Sequence, residues 1–125
     1  MLEAALTDQI LGAFFGVYRD LGFGFLEAVY VNALTVDLQA RGIDSRREVA
    51  IEVVYCGVRV GFYRADLVVE NRVLLEVKST RTIVEADERQ LQNYLKASHI
   101  EVGLLLHFGP EPKFRRFVFS NNRKQ

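Results

Sequence analysis

Arg64-Ala65-Asp66-Leu67-Val68-Val69-Glu70-Asn71-Arg72-Val73-Leu74-Leu75-Glu76-Val77-Lys78 is the stretch on which the fold turns. Two apolar runs flank Glu70-Asn71-Arg72, a natural turn, so the stretch reads as two antiparallel strands. With the turn centred on Asn71, position 66 falls opposite position 76. Directly opposed residues of a hairpin share a face, with Cβ atoms about 4.5–5.5 Å apart. Asp66 and Glu76 are therefore expected side by side, with Lys78 two residues further on the face of Glu76. The second strand is apolar on both faces near its start, as a central strand is. Charges at its far end are costly to bury unless they are paired or bound. Two adjacent carboxylates repel, and a hard divalent cation, Mg²⁺ or Mn²⁺, is the usual resolution. An ordinary Glu–Lys or Asp–Lys pair on a solvated sheet edge accounts for the same spacing.

Working outward, apolar residues at helical spacing (Leu6, Ile10, Ala13, Phe14, Val17) predict a helix over about 2–19. Gly22 and Gly24 break it. A second helix is expected over about 25–41, with Gly42 as its C′ residue. Strands are expected over about 48–55, 58–69 and 73–79, the first pair turning at Cys56-Gly57 and the second strand bending near Gly61. Thr82-Ile83-Val84-Glu85 has the capping-box pattern, so a third helix is expected from there to about Ser98. The apolar run 101–108 suits a buried strand, Gly109-Pro110-Glu111-Pro112 a loop, and 114–119 an edge strand. The order α-α-β-β-β-α-β-β implies an α/β (α+β mixed) fold with a mixed sheet flanked by helices.

The chain has 125 residues, enough for one domain spanning 1–125 with one real core. Half of its residues are hydrophobic and 26% are charged, a globular composition. Cys56 is the one cysteine, which excludes an intrachain disulfide and a thiolate metal cage. No apolar stretch approaches the roughly 20 residues of a membrane span. The start of the chain lacks the pattern of a signal peptide, so a cytoplasmic location is expected. Sixteen basic residues balance sixteen acids. Lys113, Arg115, Arg116, Arg123 and Lys124 follow one another without an acid and form a possible phosphate-contacting patch. A solvated strand and tail explains them too.

Three further polar residues share faces with apolar neighbours. Glu27 lies on the stripe of Tyr30 and Leu34 in the first turn of its helix, where the dipole also favours an acid. Gln90 and Tyr94 lie four apart on one face of the third helix. His99 and His107 are isolated and read as structural or exposed.

Together these residues resemble the PD-(D/E)xK nuclease superfamily, and within it the small stand-alone GxxExxY branch. The branch motif stands as Gly24-Phe25-Leu26-Glu27-Ala28-Val29-Tyr30, and the superfamily signature as Asp66 followed by Glu76-Val77-Lys78. Gln90-Leu91-Gln92-Asn93-Tyr94 resembles the Gln-x-x-x-Tyr element of exonuclease-like members. The resemblance implies a restriction-endonuclease-like core with a four-stranded mixed sheet. It implies a metal site of Asp66 and Glu76 helped by the Val77 carbonyl and Glu27. Lys78 would orient the attacking water or stabilise developing charge, and Gln90 would join the catalytic set. Tyr94, Tyr30, Arg64, Arg81, Arg115 and Arg116 are the expected substrate contacts. Asp87 stands where branch members often have histidine. The implied activity is Mg²⁺- or Mn²⁺-dependent hydrolysis of nucleic acid, DNA first, by a chain that needs a homodimer or partner protein for a full substrate clamp. The rival is a nuclease fold that binds but no longer cleaves.

Overall fold

The computed structural model describes residues 1–124. Its elements follow the expected order: α1 (Ala4–Leu21), α2 (Glu27–Ala40), β1 (Ser45–Tyr55), β2 (Val58–Val69), β3 (Val73–Lys78), α3 (Glu85–Ala97), β4 (Val102–Phe108) and β5 (Pro112–Val118), then a short 3₁₀ turn at Asn121–Arg123. The strands form one sheet in the order β1-β2-β3-β4-β5, the five strands expected from the sequence. All neighbours are antiparallel except β3 and β4, which are parallel and joined by α3 as the crossover.

The sheet separates two cores. Leu67, Val69, Leu75, Val77, Leu104, Leu106 and Phe108 meet α1 and α2 through Ile10, Phe14, Tyr30, Leu34 and Leu38. Val68, Leu74 and Leu105 meet α3 through Leu91, Tyr94 and Leu95. Alternation along β3 therefore turns Glu76 and Lys78 toward the α3 side. Helix α2 ends as its sequence predicts: Gly42 (φ 74°) donates to Gln39 O, and Ile43 donates to Leu38 O. That is the Schellman pattern, and Ile43 packs on the core to close it.

Helix α3 departs from expectation. It begins at Glu85, not near Thr82, and Val84 is its N-cap without a side-chain bond. The capping box does not form because the segment after β3 is bound elsewhere: Thr80 Oγ1 donates to Thr82 O and meets His107 Nε2, both at 3.0 Å. Glu85, Asp87 and Glu88 in the first turn favour the helix start through its dipole instead. The β1–β2 hairpin turns at Cys56-Gly57, both with positive φ, which matches the strand twist. Its register shifts by one between Val53 and Val54, at a bulge next to Gly61.

Candidate functional site

The β2–β3 ladder runs Val69↔Val73, Val68↔Leu74, Leu67↔Leu75 and then stops. Beyond it the strands part, and two carboxylates fill the gap. Asp66 Oδ2 accepts from Val77 N at 2.7 Å, and Glu76 Oε1 accepts from Asp66 N at 3.3 Å. Each acid thus replaces a ladder bond with a side-chain bond to the opposite strand. Position 66 does fall opposite position 76, as the turn at Asn71 requires. Glu76 is 4% exposed. Burial, and then the Asp66 charge, push its carboxyl up to about 8, and Lys78 opposes this only weakly.

Glu27 opens α2 and reaches the end of β3 from the other layer: its Oε2 accepts from Ser79 N at 3.2 Å. Ser79 Oγ in turn donates to Phe25 O at 2.6 Å, which fastens the loop before α2 to the sheet end. Lys78 Nζ lies 3.9 Å from Asp87 Oδ1 on α3, so its nearest charge partner is the acid at the position that the resemblance left open.

Glu27 and Asp66 line a cleft of about 370 Å³ with Val31, Asn32, Arg47 and Glu48. Glu48 was not visible as a site residue in the sequence. It lies across from Asp66, between the pairs Arg47↔Leu67 and Val49↔Ala65, with φ 53°. Such a backbone is uncommon for a non-glycine residue and marks strain. Both strands switch faces there. Arg47 bonds Asn32 of α2 and Leu67 packs in the α1/α2 core, whereas Val49 and Ala65 pack on the α3 side. Asp66 consequently stands at the seam between the layers.

Several expected contacts are corrected by burial. Tyr30 is fully buried: its ring stacks on Phe108 at 4.0 Å, its hydroxyl donates to Gly22 O at 2.5 Å and accepts from Phe25 N at 3.2 Å. It shapes the loop before Glu27 and has no surface to offer a substrate. Arg116 faces the α1 side, bonds the Leu2 carbonyl, and lies across the sheet from Lys78. The basic patch therefore does not exist as one surface. Lys124 Nζ donates to Ser98 O and Ile100 O, and Arg123 lies over the Phe119 ring. Arg115 shares the α3 side and lies 4.0 Å from Glu88, while Arg64 sits over Phe62 and Arg81 is exposed after β3. Gln90 lines an open cleft with Tyr63, Glu85, Ala86, Arg89 and Asn93. Tyr94 does not line it. It is 4% exposed beneath Tyr63, and burial followed by the Glu76 and Asp66 charges pushes its hydroxyl up to about 12. His107 is buried with Nδ1 unpartnered, and burial holds its pKa down; His99 is exposed, within 3.2 Å of Asn71 Oδ1.

Two buried-to-half-buried carboxylates joined by strand amides and followed by a lysine, at the end of a parallel-antiparallel sheet junction, form a defined constellation. The profile of the PD-(D/E)XK nuclease superfamily matches residues 4–117, which contain all of it. The chain belongs to the PD-(D/E)XK nuclease superfamily. Among solved structures, the crystal structure of SSO0001 is similar, with a TM-score of 0.57 and 21% identity over 74% of this chain. That likeness concerns the fold, and the chain spans 50% of the length of SSO0001. No curated protein matches the chain significantly.

The superfamily's usual divalent metal has a partial fit here. Among the described residues no group of three or more acids, histidines or cysteines is placed to hold an ion. What is present is the Asp66–Glu76 pair, with one oxygen of each bound to a strand amide and the other not engaged by the backbone. Mg²⁺ is commonly held by one or two carboxylates, with water and substrate phosphate as its other ligands, and this donor set suits that mode. Glu27, with Oε2 on the Ser79 amide, would join it through its other oxygen.

Proposed function

We propose that this chain is a divalent-metal-dependent nuclease of the GxxExxY branch that hydrolyses phosphodiester bonds of nucleic acid, DNA in the first instance. The observation that carries the reading is the Asp66–Glu76 pair held across the parted ends of β2 and β3, with Lys78 next along the strand. Asp66, Glu76 and the Val77 carbonyl would hold Mg²⁺ or Mn²⁺, with Glu27 as a further ligand. A bound ion supplies Lewis-acid polarisation of the phosphate and acidifies a bound water. Lys78 places fixed positive charge where negative charge develops on the phosphate. Gln90 and the arginines Arg64, Arg81 and Arg115 orient the strand. Residues 1–125 act as one domain, and a homodimer or partner protein completes the substrate groove.

Cleavage of labelled DNA with Mn²⁺, with Mg²⁺ and with chelator tests this. Wild type should cut only with metal. Asp66→Asn and Lys78→Ala should each lose roughly a hundredfold or more, the scale of one well-placed electrostatic group. Metal-independent cutting, or a fully active Asp66→Asn, would overturn it.

A second reading, a binding module that no longer cleaves, draws on the turn of Lys78 toward Asp87. Calorimetric titration with Mn²⁺ separates the two: a working site takes up the ion, and a site without function does not.

A further inference from the structure

A cleft between β2 and α3 has a chemistry that metal and lysine do not use. It measures about 550 Å³ and is lined by Tyr63 from β2 and by Glu85, Ala86, Arg89, Gln90 and Asn93 from α3. Arg89 is paired with Glu85 one helical turn earlier, so the lining has no uncompensated charge. A phosphate site would need surplus positive charge, and the free N–H groups at the start of α3 are already accompanied by the acids Glu85, Asp87 and Glu88 of its first turn. What remains is a half-exposed aromatic ring and two primary amides. Gln90 and Asn93 are three apart and therefore neighbours on one helix face. Each amide offers both a donor and an acceptor. A flat π surface beside paired donors and acceptors fits a neutral, planar, edge-hydrogen-bonding ligand.

The position matters as much as the lining. Tyr63 precedes Asp66 by three residues on the same strand, roughly 10 Å. Its ring is backed by Tyr94, with centroids 5.5 Å apart, and the Tyr94 hydroxyl feels the charges of Glu76 and Asp66. The cleft therefore lies on the α3 side of the sheet, roughly 10 Å along β2 from Asp66, within reach of a nucleotide near the scissile phosphate.

We propose that this cleft is a nucleobase site: an unstacked base of the substrate strand stacks on Tyr63 and presents its edge to Gln90 and Asn93. This rests on the reading of the chain as a nuclease and narrows its substrate. Bases inside a duplex are stacked and paired and cannot enter, so the substrate is single-stranded nucleic acid or a frayed strand end.

The test is fluorescence anisotropy of the full chain with a short labelled single-stranded oligonucleotide in chelator, alongside the same strand in a blunt duplex and the same strand carrying abasic sites. Wild type should bind the single strand more tightly than the duplex. Tyr63→Ala should weaken single-strand binding roughly 5- to 150-fold, the range of one aromatic–base stack, and Tyr63→Phe should restore it. Abasic sites should weaken wild type and leave Tyr63→Ala indifferent. Ala86→Leu, on an exposed helix position, should fill the cleft and weaken binding too; it decides the matter if Tyr63→Ala does not fold. Single-strand binding unchanged in folded Tyr63→Ala or in Ala86→Leu would overturn the proposal, as would equal loss on the abasic strand. Cleavage by wild type with Mn²⁺ reports separately on the nuclease reading. Cutting with an indifferent Tyr63 removes the base site alone, whereas base-dependent binding without cutting removes the nuclease and leaves the base site.

Discussion

Glu76 shows how one residue reports on both stability and chemistry. Its pKa is raised to about 8 in the folded protein, by burial first and by Asp66 second, against 4.5 for an ordinary glutamate. The sign follows from proton linkage. Below about pH 4.5 the carboxyl is neutral in both states and costs nothing. Between 4.5 and 8 the unfolded chain loses the proton and the folded one keeps it, so the folded state weakens as pH rises, by on the order of a few kcal/mol in total. Glu76→Gln keeps an acceptor for the Asp66 amide and removes the titration. Thermal melts in chelator should show the variant at least as stable as wild type, with its advantage growing from pH 4.5 to 8. Mn²⁺ should then stabilise wild type by mass action and leave the variant unmoved. A variant that melts well below wild type at pH 8 in chelator would make Glu76 a structural ion-pair partner. The residues Asp66, Glu76 and Lys78 were legible in the sequence because a short turn fixes their register. Tyr30 was misjudged because a motif position says nothing about which way a hydroxyl points. Here it points inward, to Gly22 O and Phe25 N.

At the scale of elements, the least legible feature is the partner strand of Asp66. Counting back from the Cys56-Gly57 turn without interruption pairs Tyr55 with Val58 and so Arg47 with Asp66. The bulge near Gly61 adds one residue to β2, and Glu48 takes that place instead. No spacing in the sequence marks a bulge by itself, since Gly61 is equally compatible with a bend. The switch of faces has its own cause: a left-handed residue at 48 reverses the alternation of β1, and β2 reverses with it. The backbone requirement can be separated from the carboxylate. Glu48→Gly removes the Cβ penalty at φ 53°, so its melting temperature should stay close to wild type. Glu48→Val should cost about 1–3 kcal/mol, because a β-branched residue resists that conformation. Denaturant unfolding of the pair measures this. Equal stability of the two variants would mean that β1 is free to flatten and that the seam at Asp66 does not depend on it.

The whole molecule is electrically balanced, and its cations are mostly occupied. Arg72, Lys78, Arg89 and Arg115 face carboxylates, Arg116 and Lys124 are held by backbone carbonyls, and Arg123 covers an aromatic ring. This is why a run of basic residues at the end of the sequence looked like a phosphate surface and is not one: alternation along β5 sends Arg115 and Arg116 to opposite faces. Among the described residues Arg64, Arg81 and Lys113 face no carboxylate, and Lys78 adds to them where a phosphate displaces Asp87. Neutralising three or four phosphates gives a logarithmic dependence of affinity on salt with a slope near about −3. Binding should therefore weaken by roughly 60-fold between 50 and 200 mM salt, against the 10³–10⁵ lost by a protein that makes 6–10 phosphate contacts. Anisotropy titrations of a labelled single strand over a range of salt, without metal, measure the slope directly. A slope of about −6 or steeper would require twice as many phosphate contacts as one chain presents at this end of the sheet. The internal ion pairs would then have to open on binding, or a second copy would have to bring its own cations to the same strand.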